Sequence, residues 1–209
     1  MNAINQQKEK IASLFKKPLP GVRAQEQMAP SLRKLPDLTV ESETNRKKSA
    51  VMIVLFKNNE ELSTLFIKRP EYDGHHSGQV AFPGGKTDEN DTSLLDTAIR
   101  ECKEEVGIEI SATDIVGTLS SLHIPVSNIM VFPFVAFLQK MPTIHPDNYE
   151  VAYTFIASIS DLKKRKNHKI KHSFFKNTPI TIPFFSIQNE EIWGATAMIC
   201  SELLAVLTT

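Results

Sequence analysis

Three glutamates, Glu101, Glu104 and Glu105, stand within five positions of one another, with Arg100 directly before them and Gly107 just after. On a helix, residues three and four apart are neighbours, so Glu101 meets both Glu104 and Glu105. Carboxylates crowded in this way repel one another unless a cation neutralises them. A divalent metal is the simplest resolution, and a metal held by carboxylates is a site for phosphate chemistry.

The helix that must carry them is written into the surrounding residues. With Leu94 set at zero and about 100° per residue, Leu94, Ala98, Cys102, Leu95, Val106 and Ile99 fall within an arc of roughly 140°. That face packs on a core. Glu104, Glu101 and Glu105 fall at about 280°, 340° and 20°, on the shoulder where core and solvent meet and a cleft can form. Arg100 lies near 240°, beside Glu104, where its guanidinium could orient a carboxylate through paired hydrogen bonds. Ser93 can cap the start of the helix, Asp96 favours the positive end of its dipole, and Gly107 can supply the left-handed residue that ends it.

The segment from Gly84 to Ile108, GGKTDENDTSLLDTAIRECKEEVGI, resembles the Nudix box. Arg100, Glu101, Cys102, Glu104, Glu105, Gly107 and Ile108 sit on motif positions, and Gly85 fits the leading glycine. The first half departs from the pattern. Asp91 stands where glutamate is usual, and one extra residue separates it from Arg100. The resemblance implies hydrolysis of a nucleoside diphosphate linked to another moiety, with Mg2+ or Mn2+ held by Glu101, Glu104 and Glu105 and Arg100 in the catalytic set. Asn148-Tyr149-Glu150-Val151 is similar to a late Nudix segment whose glutamate can serve as general base or extra ligand. Glu150 stands open between that role and a solvated loop position.

Upstream, Leu65 to Lys86 reads LFIKRPEYDGHHSGQVAFPGGK. Together with the box it resembles the coenzyme A pyrophosphatase branch of Nudix hydrolases, with Lys68-Arg69, Gly78 and Phe82-Pro83-Gly84-Gly85 in register. Asp73 and Gly74 replace two residues that are often basic in that branch. The resemblance implies splitting of coenzyme A, or a thioester or disulfide of it, into 3′,5′-ADP and 4′-phosphopantetheine or its acyl form. Lys68, Arg69, Phe82, Gly84 and Gly85 are then the substrate-binding candidates. Read on its own, the run is a strand ending in a cation pair able to meet phosphate oxygens. Other Nudix specificities, for ADP-ribose, dinucleotides or nucleoside triphosphates, share the same helix, and an inactive Nudix-like nucleotide- or RNA-binding module is the reading from outside enzymology. A pure binder has no need of a repulsive carboxylate cluster.

Two decoys fall away. Gly84-Gly85-Lys86-Thr87 imitates the end of a P-loop, but Val80 stands where that loop needs glycine. His75 and His76 have no further His or Cys at zinc spacing and are expected to be loop polar groups.

At 209 residues, 41% hydrophobic and 23% charged, the chain can bury one substantial core. Cys102 and Cys200, on apolar helical patterns, are expected to be buried thiols rather than a disulfide framework. The amino terminus lacks a signal-like apolar run, and no stretch approaches the roughly 20 apolar residues of a membrane span, so a cytoplasmic location with no membrane partner is expected. With 24 basic and 24 acidic residues, no general nucleic-acid affinity is indicated; the resemblance implies a small-molecule nucleoside diphosphate derivative, coenzyme A first, as partner, and a homodimer stays open. Charge is unevenly placed all the same. Residues 84–109 carry eight acids against three bases, whereas Lys163 to His172, KKRKNHKIKH, has six bases and no acid and is expected to be a solvated loop able to meet a phosphate.

Ile4 to Phe15 has helical spacing, Pro18, Pro20 and Gly21 break it, and a polar linker runs to about Lys48. Residues 1–48 are therefore expected to be an amino-terminal helical extension and linker, and 49–209 the Nudix domain. Strands are expected at Ala50–Phe56 and Leu62–Lys68, joined as a hairpin, then at Gln79–Phe82, Ile115–Leu122, Met130–Leu138 and Ile180–Ser186. Ile192 to Leu207 reads as a strand end passing into an apolar helix of core residues. The fold class expected is α/β, an α/β/α sandwich around a mixed sheet.

Overall fold

The computed structural model describes residues 3–31, 46–74, 76–175 and 177–208. The chain opens with helix α1 (Ala3–Phe15) and the short α2 (Val22–Gln25), then enters strand β1 (Lys47–Asn58). Residues 50–56 are apolar at every position, as a strand covered on both faces requires. A tight turn at Asn59-Glu60, both at positive φ, returns the chain along β2 (Glu61–Lys68), shortening the expected hairpin connection to two residues. Two small strands, β3 (Val80–Ala81) and β4 (Gly84–Lys86), lead into helix α3 (Leu94–Val106). Strands β5 (Ile115–Thr118), β6 (Leu122–Ile124), β7 (Ile129–Leu138) and β8 (Tyr153–Ser158) follow, then α4 (Ile159–Lys163), β9 (His168–Phe175), β10 (Thr178–Ile187), β11 (Glu190–Trp193) and helix α5 (Gly194–Val206).

Among the described residues, β1 to β8 form one mixed sheet. Its spine is the parallel pair β1–β7, running from Lys47 opposite Ile129 to Phe56 opposite Leu138. β2 lies antiparallel on the other side of β1 and carries β3 and β8. Strand alternation divides β1 between two layers. Met52, Val54 and Phe56 join Ala98, Cys102 and Val106 of α3 on one face; Ile53 and Leu55 join Met198, Leu203 and Val206 of α5 on the other. This is the α/β/α sandwich around a mixed sheet.

Several local expectations change. The strand expected over Ile115–Leu122 is split, because the register slips between Ile115 and Gly117 and Ser120 turns its N–H toward a buried carboxylate. β8 was not anticipated at all. The basic run expected to be a solvated loop is instead the end of α4, a 3₁₀ turn and most of β9. It is the edge of a second, antiparallel sheet ordered β11-β10-β9, in which cations find partners across strands: Lys171 pairs with Glu191 and Lys169 donates to Ser186.

The amino-terminal segment is not held apart from the domain. Ile11, Ala24 and Met28 are buried, two of them in the same cluster as α5, while the expected polar linker over 32–45 lies outside the described residues. Glu202 of α5, fully buried, accepts from the backbone N–H of Gly21 at 3.1 Å and of Ser120 at 3.2 Å, and from Gln25 Nε2 at 2.8 Å. Cys102 and Cys200 are free and buried, and burial pushes the Cys102 thiol up to about 12, so neither is a nucleophile at neutral pH. No described helix is long and apolar enough to cross a membrane.

Candidate active site

Helix α3 begins and ends where its capping residues say it should. Ser93 Oγ accepts the Asp96 N–H at 3.1 Å, and Gly107, at φ 69°, closes the helix in the left-handed conformation with its N–H on Lys103 O. The wheel positions of the three glutamates become three degrees of burial. Glu105, nearest the apolar face, is 2% exposed; Glu101 is half-buried; Glu104 is exposed.

Opposite them lies the Gly84-Gly85 strand, and each glycine is required for a different contact. A side chain on Gly84, at φ 152°, would meet Ala50 O at 2.3 Å, and its N–H donates to Glu105 Oε2 at 2.7 Å. A Cβ on Gly85 would sit 2.4 Å from the Glu101 carboxylate. The missing side chains are what let two carboxylates lie against backbone.

Arg100 gathers the cluster. Its Nε and Nη2 form a fork on Asp91, both at 2.9 Å, while Nη1 donates to Glu101 Oε1 at 2.9 Å and Glu104 Oε2 at 2.8 Å. A fifth bond, Nη2 to Lys86 O, ties it to β4. The Arg100 fork, aided by the Asp88 N–H and Thr97 Oγ1, holds the Asp91 carboxyl well below its ordinary range. Asp91 is thus a site residue that the sequence pattern marked only as a departure. The Asp88–Asp91 turn, closed by Asp91 N–H to Asp88 O, absorbs the extra residue and delivers the shorter carboxylate to the guanidinium.

Glu105 is the least compensated member. Burial pushes its carboxyl up to about 7, with the Arg69 guanidinium, 3.8 Å away, and the Gly84 N–H opposing, and with Glu101 and Glu150 adding repulsion. Glu101 is also raised, by burial first and by the charges of Glu104 and Glu150. Glu101, Glu105 and Glu150 therefore share one negative field that the chain's own cations do not cancel. Hard carboxylate oxygens in such a field suit a divalent cation. Among the described residues no three His, Cys, Asp or Glu side chains already stand at holding distances; one oxygen each of Glu101 and Glu104 is on Arg100 and one of Glu105 is on the Gly84 N–H.

Glu150 is exposed, but its backbone is anchored. His145 N–H donates to Val106 O at 2.9 Å and Asp147 N–H to Glu105 O at 3.0 Å, fastening the loop to the end of α3. Asp147 then folds the turn through Tyr149 N–H at 2.7 Å, and Val151, buried, closes it. Glu150 and the fully exposed Tyr149 are left on the rim of the cleft.

That cleft has a volume of about 1840 Å³. Its polar end is lined by Arg69, Gly84, Gly85, Lys86, Glu101, Glu105 and Glu150, with Arg100 beneath. Of the substrate-binding candidates, Arg69, Phe82, Gly84 and Gly85 are brought to it. Phe82 is chiefly a core residue, 4.8 Å from the Phe66 ring between centroids. Lys68 is not brought there, because consecutive strand residues face opposite ways. Its ammonium pairs with Glu190 at 2.7 Å, beside the Tyr153 hydroxyl on the same carboxylate. His75 lies outside the described residues; His76 is a loop polar group bonded to Gln79 and Ser127. No residue of the basic run 163–172 lines the cleft.

The NUDIX domain family profile matches residues 46–177. The chain is 34% identical over 161 residues to the uncharacterized Nudix hydrolase NudL of Yersinia enterocolitica, covering 76% of this chain and 80% of that one. It is 29% identical over 194 residues to the protein of the same name from Pectobacterium atrosepticum, covering 87% and 89%. Among solved structures, the MutT protein of Methanosarcina mazei superposes with a TM-score of 0.53 at 17% identity, over 80% of this chain and 98% of that chain. The MutT/nudix family protein of Enterococcus faecalis gives 0.53 at 21% identity; the match covers 84% of this chain and 64% of that longer one.

Proposed function

The chain belongs to the Nudix hydrolase family and is a pyrophosphohydrolase, and from that premise we propose that it cuts the pyrophosphate bond of coenzyme A or a derivative, giving 3′,5′-ADP and 4′-phosphopantetheine or its acyl form. The observation that carries this reading is the size and mixed lining of the cleft. Small-molecule sites usually occupy about 300–1,000 Å³. This one, at about 1840 Å³, is larger, and its lining joins the carboxylates to the apolar side chains of Ile124, Val126, Ile180, Ile182 and Trp193. A diphosphate in the middle of a long molecule, with a nucleotide on one side and an extended arm on the other, matches that two-part surface. The Lys68 to Gly85 run, with its resemblance to the coenzyme A branch, supports the same substrate.

Nudix hydrolases generally use Mg2+ or Mn2+; Glu101, Glu104 and Glu105, with Glu150 on the rim of the cleft, would hold such an ion, and it would neutralise the diphosphate and acidify a bound water. The chain's own groups do the rest. Bare backbone at Gly84 and Gly85 allows close approach of phosphate oxygens. Arg69 and Lys86 provide positive charge along the polar end. Arg100 keeps Glu101 and Glu104 in one orientation through its fork on Asp91. Glu150, exposed above the pair and free of tight burial, is the general base in this reading.

The test is mass-spectrometric product analysis after incubation with coenzyme A in oxygen-18 water and Mg2+ or Mn2+, alongside ADP-ribose, a dinucleoside polyphosphate and a nucleoside triphosphate. The expected result is 3′,5′-ADP and 4′-phosphopantetheine, one carrying the label, at a kcat/KM above that of every other substrate. Faster cleavage of ADP-ribose than of coenzyme A would overturn the assignment.

A further inference from the structure

Strand β9 closes the second sheet on one side, and among the described residues no strand pairs with its outer edge. Which of its residues present that edge follows from β10. Thr181 gives both of its backbone groups to Ser31, donating to Oγ at 3.0 Å and accepting the N–H at 3.0 Å, so they point away from β9. Pro183, two residues on, has no N–H to give. His172 and Ile170, opposite these two in the register, therefore turn their backbone groups outward, and by alternation so do His168 and Phe174. A row of open N–H and C=O groups is a template on which another strand pairs. Such edges are commonly guarded by lysine. Here the lysines are drawn back over their own sheet. Lys171 pairs with Glu191 and lies 5.1 Å from the centroid of the Trp193 ring, and Lys169 donates to Ser186. On the opposite face of the strand stand Ile170, 64% exposed, and Phe174, 75% exposed. His168 anchors the start of β9, donating from Nε2 to Leu162 O at 2.8 Å with its ring edge-on to Phe185.

We propose that β9 pairs antiparallel with β9 of a second copy of this chain, about a two-fold axis at His172, so that the second sheets of the two copies become one. Charge and apolar area together select the partner and the register. An axis at Ile170 would set Lys169 opposite Lys171, and an axis at Lys171 would set that residue opposite itself; like charges directly opposed are destabilising. With the axis at His172, Lys171 falls opposite Ser173 and Ile170 falls opposite Phe174. The two exposed apolar side chains then cover each other on both sides of the axis, as a self-complementary interface requires. Pairing uses the open edge of β9 in both copies, so association stops at two. Ser173 and Phe174 also line the cleft that holds the carboxylates, so the second copy brings its Ile170 alongside that lining.

Sedimentation velocity on the full chain, from about 1 to 100 μM, is expected to show a monomer–dimer equilibrium. The double variant Ile170→Asp with Phe174→Asp changes only exposed side chains and sets carboxylate opposite carboxylate, and it is expected to raise the dimer Kd at least about tenfold. The register is read separately by cross-linking. Opposed residues of a hydrogen-bonded antiparallel pair have Cα atoms about 5.5 Å apart, within disulfide reach, whereas the two copies of Ile170 would stand about 13 Å apart along the strands. Mild oxidation is therefore expected to join His172→Cys into a covalent dimer under conditions that leave Ile170→Cys monomeric, and the native Cys102 and Cys200, both buried, do not compete. A chain that stays monomeric at 100 μM, as it would if a different protein or its own residues 32–45 took the edge, overturns the proposal. So does a dimer that the double variant leaves intact, or one that cross-links no better through position 172 than through position 170.

Discussion

Glu105 and Glu202 are both carboxylates buried in helices of thirteen residues, and the chain treats them in opposite ways. Glu202 accepts three N–H groups and does not line the carboxylate cleft; its oxygens are shared between the backbone of two loops and one glutamine. Glu105 accepts one backbone N–H, lies 3.8 Å from a guanidinium, lines an open cleft, and is repelled by the charges of Glu101 and Glu150. Burial alone does not mark a functional acid. Unmet demand does: a carboxylate enclosed yet undersupplied with donors is one that a bound cation completes.

Exchanging each carboxylate for a neutral group tests that contrast most strongly. Glu105→Gln keeps the shape and is expected to lower kcat by at least about 100-fold, because the lost charge acts where transition-state charge develops, while the melting temperature in the absence of metal is held or raised. Glu202→Ala strands three N–H donors, each worth about 1–3 kcal/mol when left buried and unpaired, and so is expected to destabilise the fold by about 3 kcal/mol or more. The folded fraction of that variant keeps its turnover. Calorimetry and steady-state kinetics on both proteins give the answer. Equal loss of activity per folded molecule in the two would erase the distinction.

The adjacent glycines sharpen it by one residue. A methyl group on Gly84 meets the backbone of Ala50 and Val51 at a φ that side chains avoid, so Gly84→Ala is expected to unfold or severely destabilise the domain. For a methyl group on Gly85 the nearest atoms are the movable end of Glu101. Gly85→Ala should melt within a few degrees of the parent yet lose about tenfold or more in kcat, by pushing that carboxylate away from its partners. Thermal scans that ranked the two variants the other way would show that the close approach at Gly85 carries the fold.

Charge gives a third way to separate the two acids. The Glu105 carboxyl moves from an ordinary 4.5 to about 7 in the folded protein, so between those values the native state holds a proton that the unfolded chain has released. Its stabilising contribution is complete below about 4.5 and is lost as pH rises through about 7. Roughly 3 kcal/mol is at stake for this group. Without divalent metal, the parent is therefore expected to lose stability from pH 5 to pH 8 relative to Glu105→Gln, and added Mg2+ or Mn2+ should restore more at pH 8 than at pH 5. Parallel curves for parent and variant would mean that Glu105 is not the titrating group.

How much of this was legible beforehand follows from how local each feature is. Helix α3 could be read to the residue because Ser93, Gly107 and the apolar spacing all act within a few turns, and the same wheel set the three glutamates on the shoulder of its apolar face. The hairpin of β1 and β2 was equally local. Asp91 was passed over because a one-residue insertion hides the turn that brings it to Arg100. In the second sheet β10 and the end of β11 are legible, at Ile180–Ser186 and Ile192, and β9 is not: it is an edge strand on which Lys169 and Lys171 alternate, and their acceptors, Ser186 and Glu191, stand 17 and 20 residues away in sequence. Charge runs with distant partners look like solvated loops until the pairing is known. The apolar lining of the cleft comes from stretches far apart in the chain, so no window of the sequence contains it.

The smallest effect concerns Lys68 and Arg69, neighbours that the sequence treats as one cation pair. Alternation at the end of β2 parts them. Arg69 points into the cleft, bonding Gly84 O at 3.2 Å, whereas Lys68 joins Glu190 and so links the main sheet to the second one. Partly exposed ion pairs of this kind contribute about 0–1 kcal/mol. Lys68→Ala is accordingly expected to shift the melting temperature by roughly 0–4 °C and to leave KM within about twofold. Arg69→Ala removes a positive charge from the phosphate end and should raise KM several-fold. It also takes away the cation that opposes protonation of Glu105, so the acid limb of its kcat/KM profile should move to higher pH. A Lys68 variant that reproduced that displacement would mean its ammonium reaches the cleft after all, and the division of labour between the two residues would have to be redrawn.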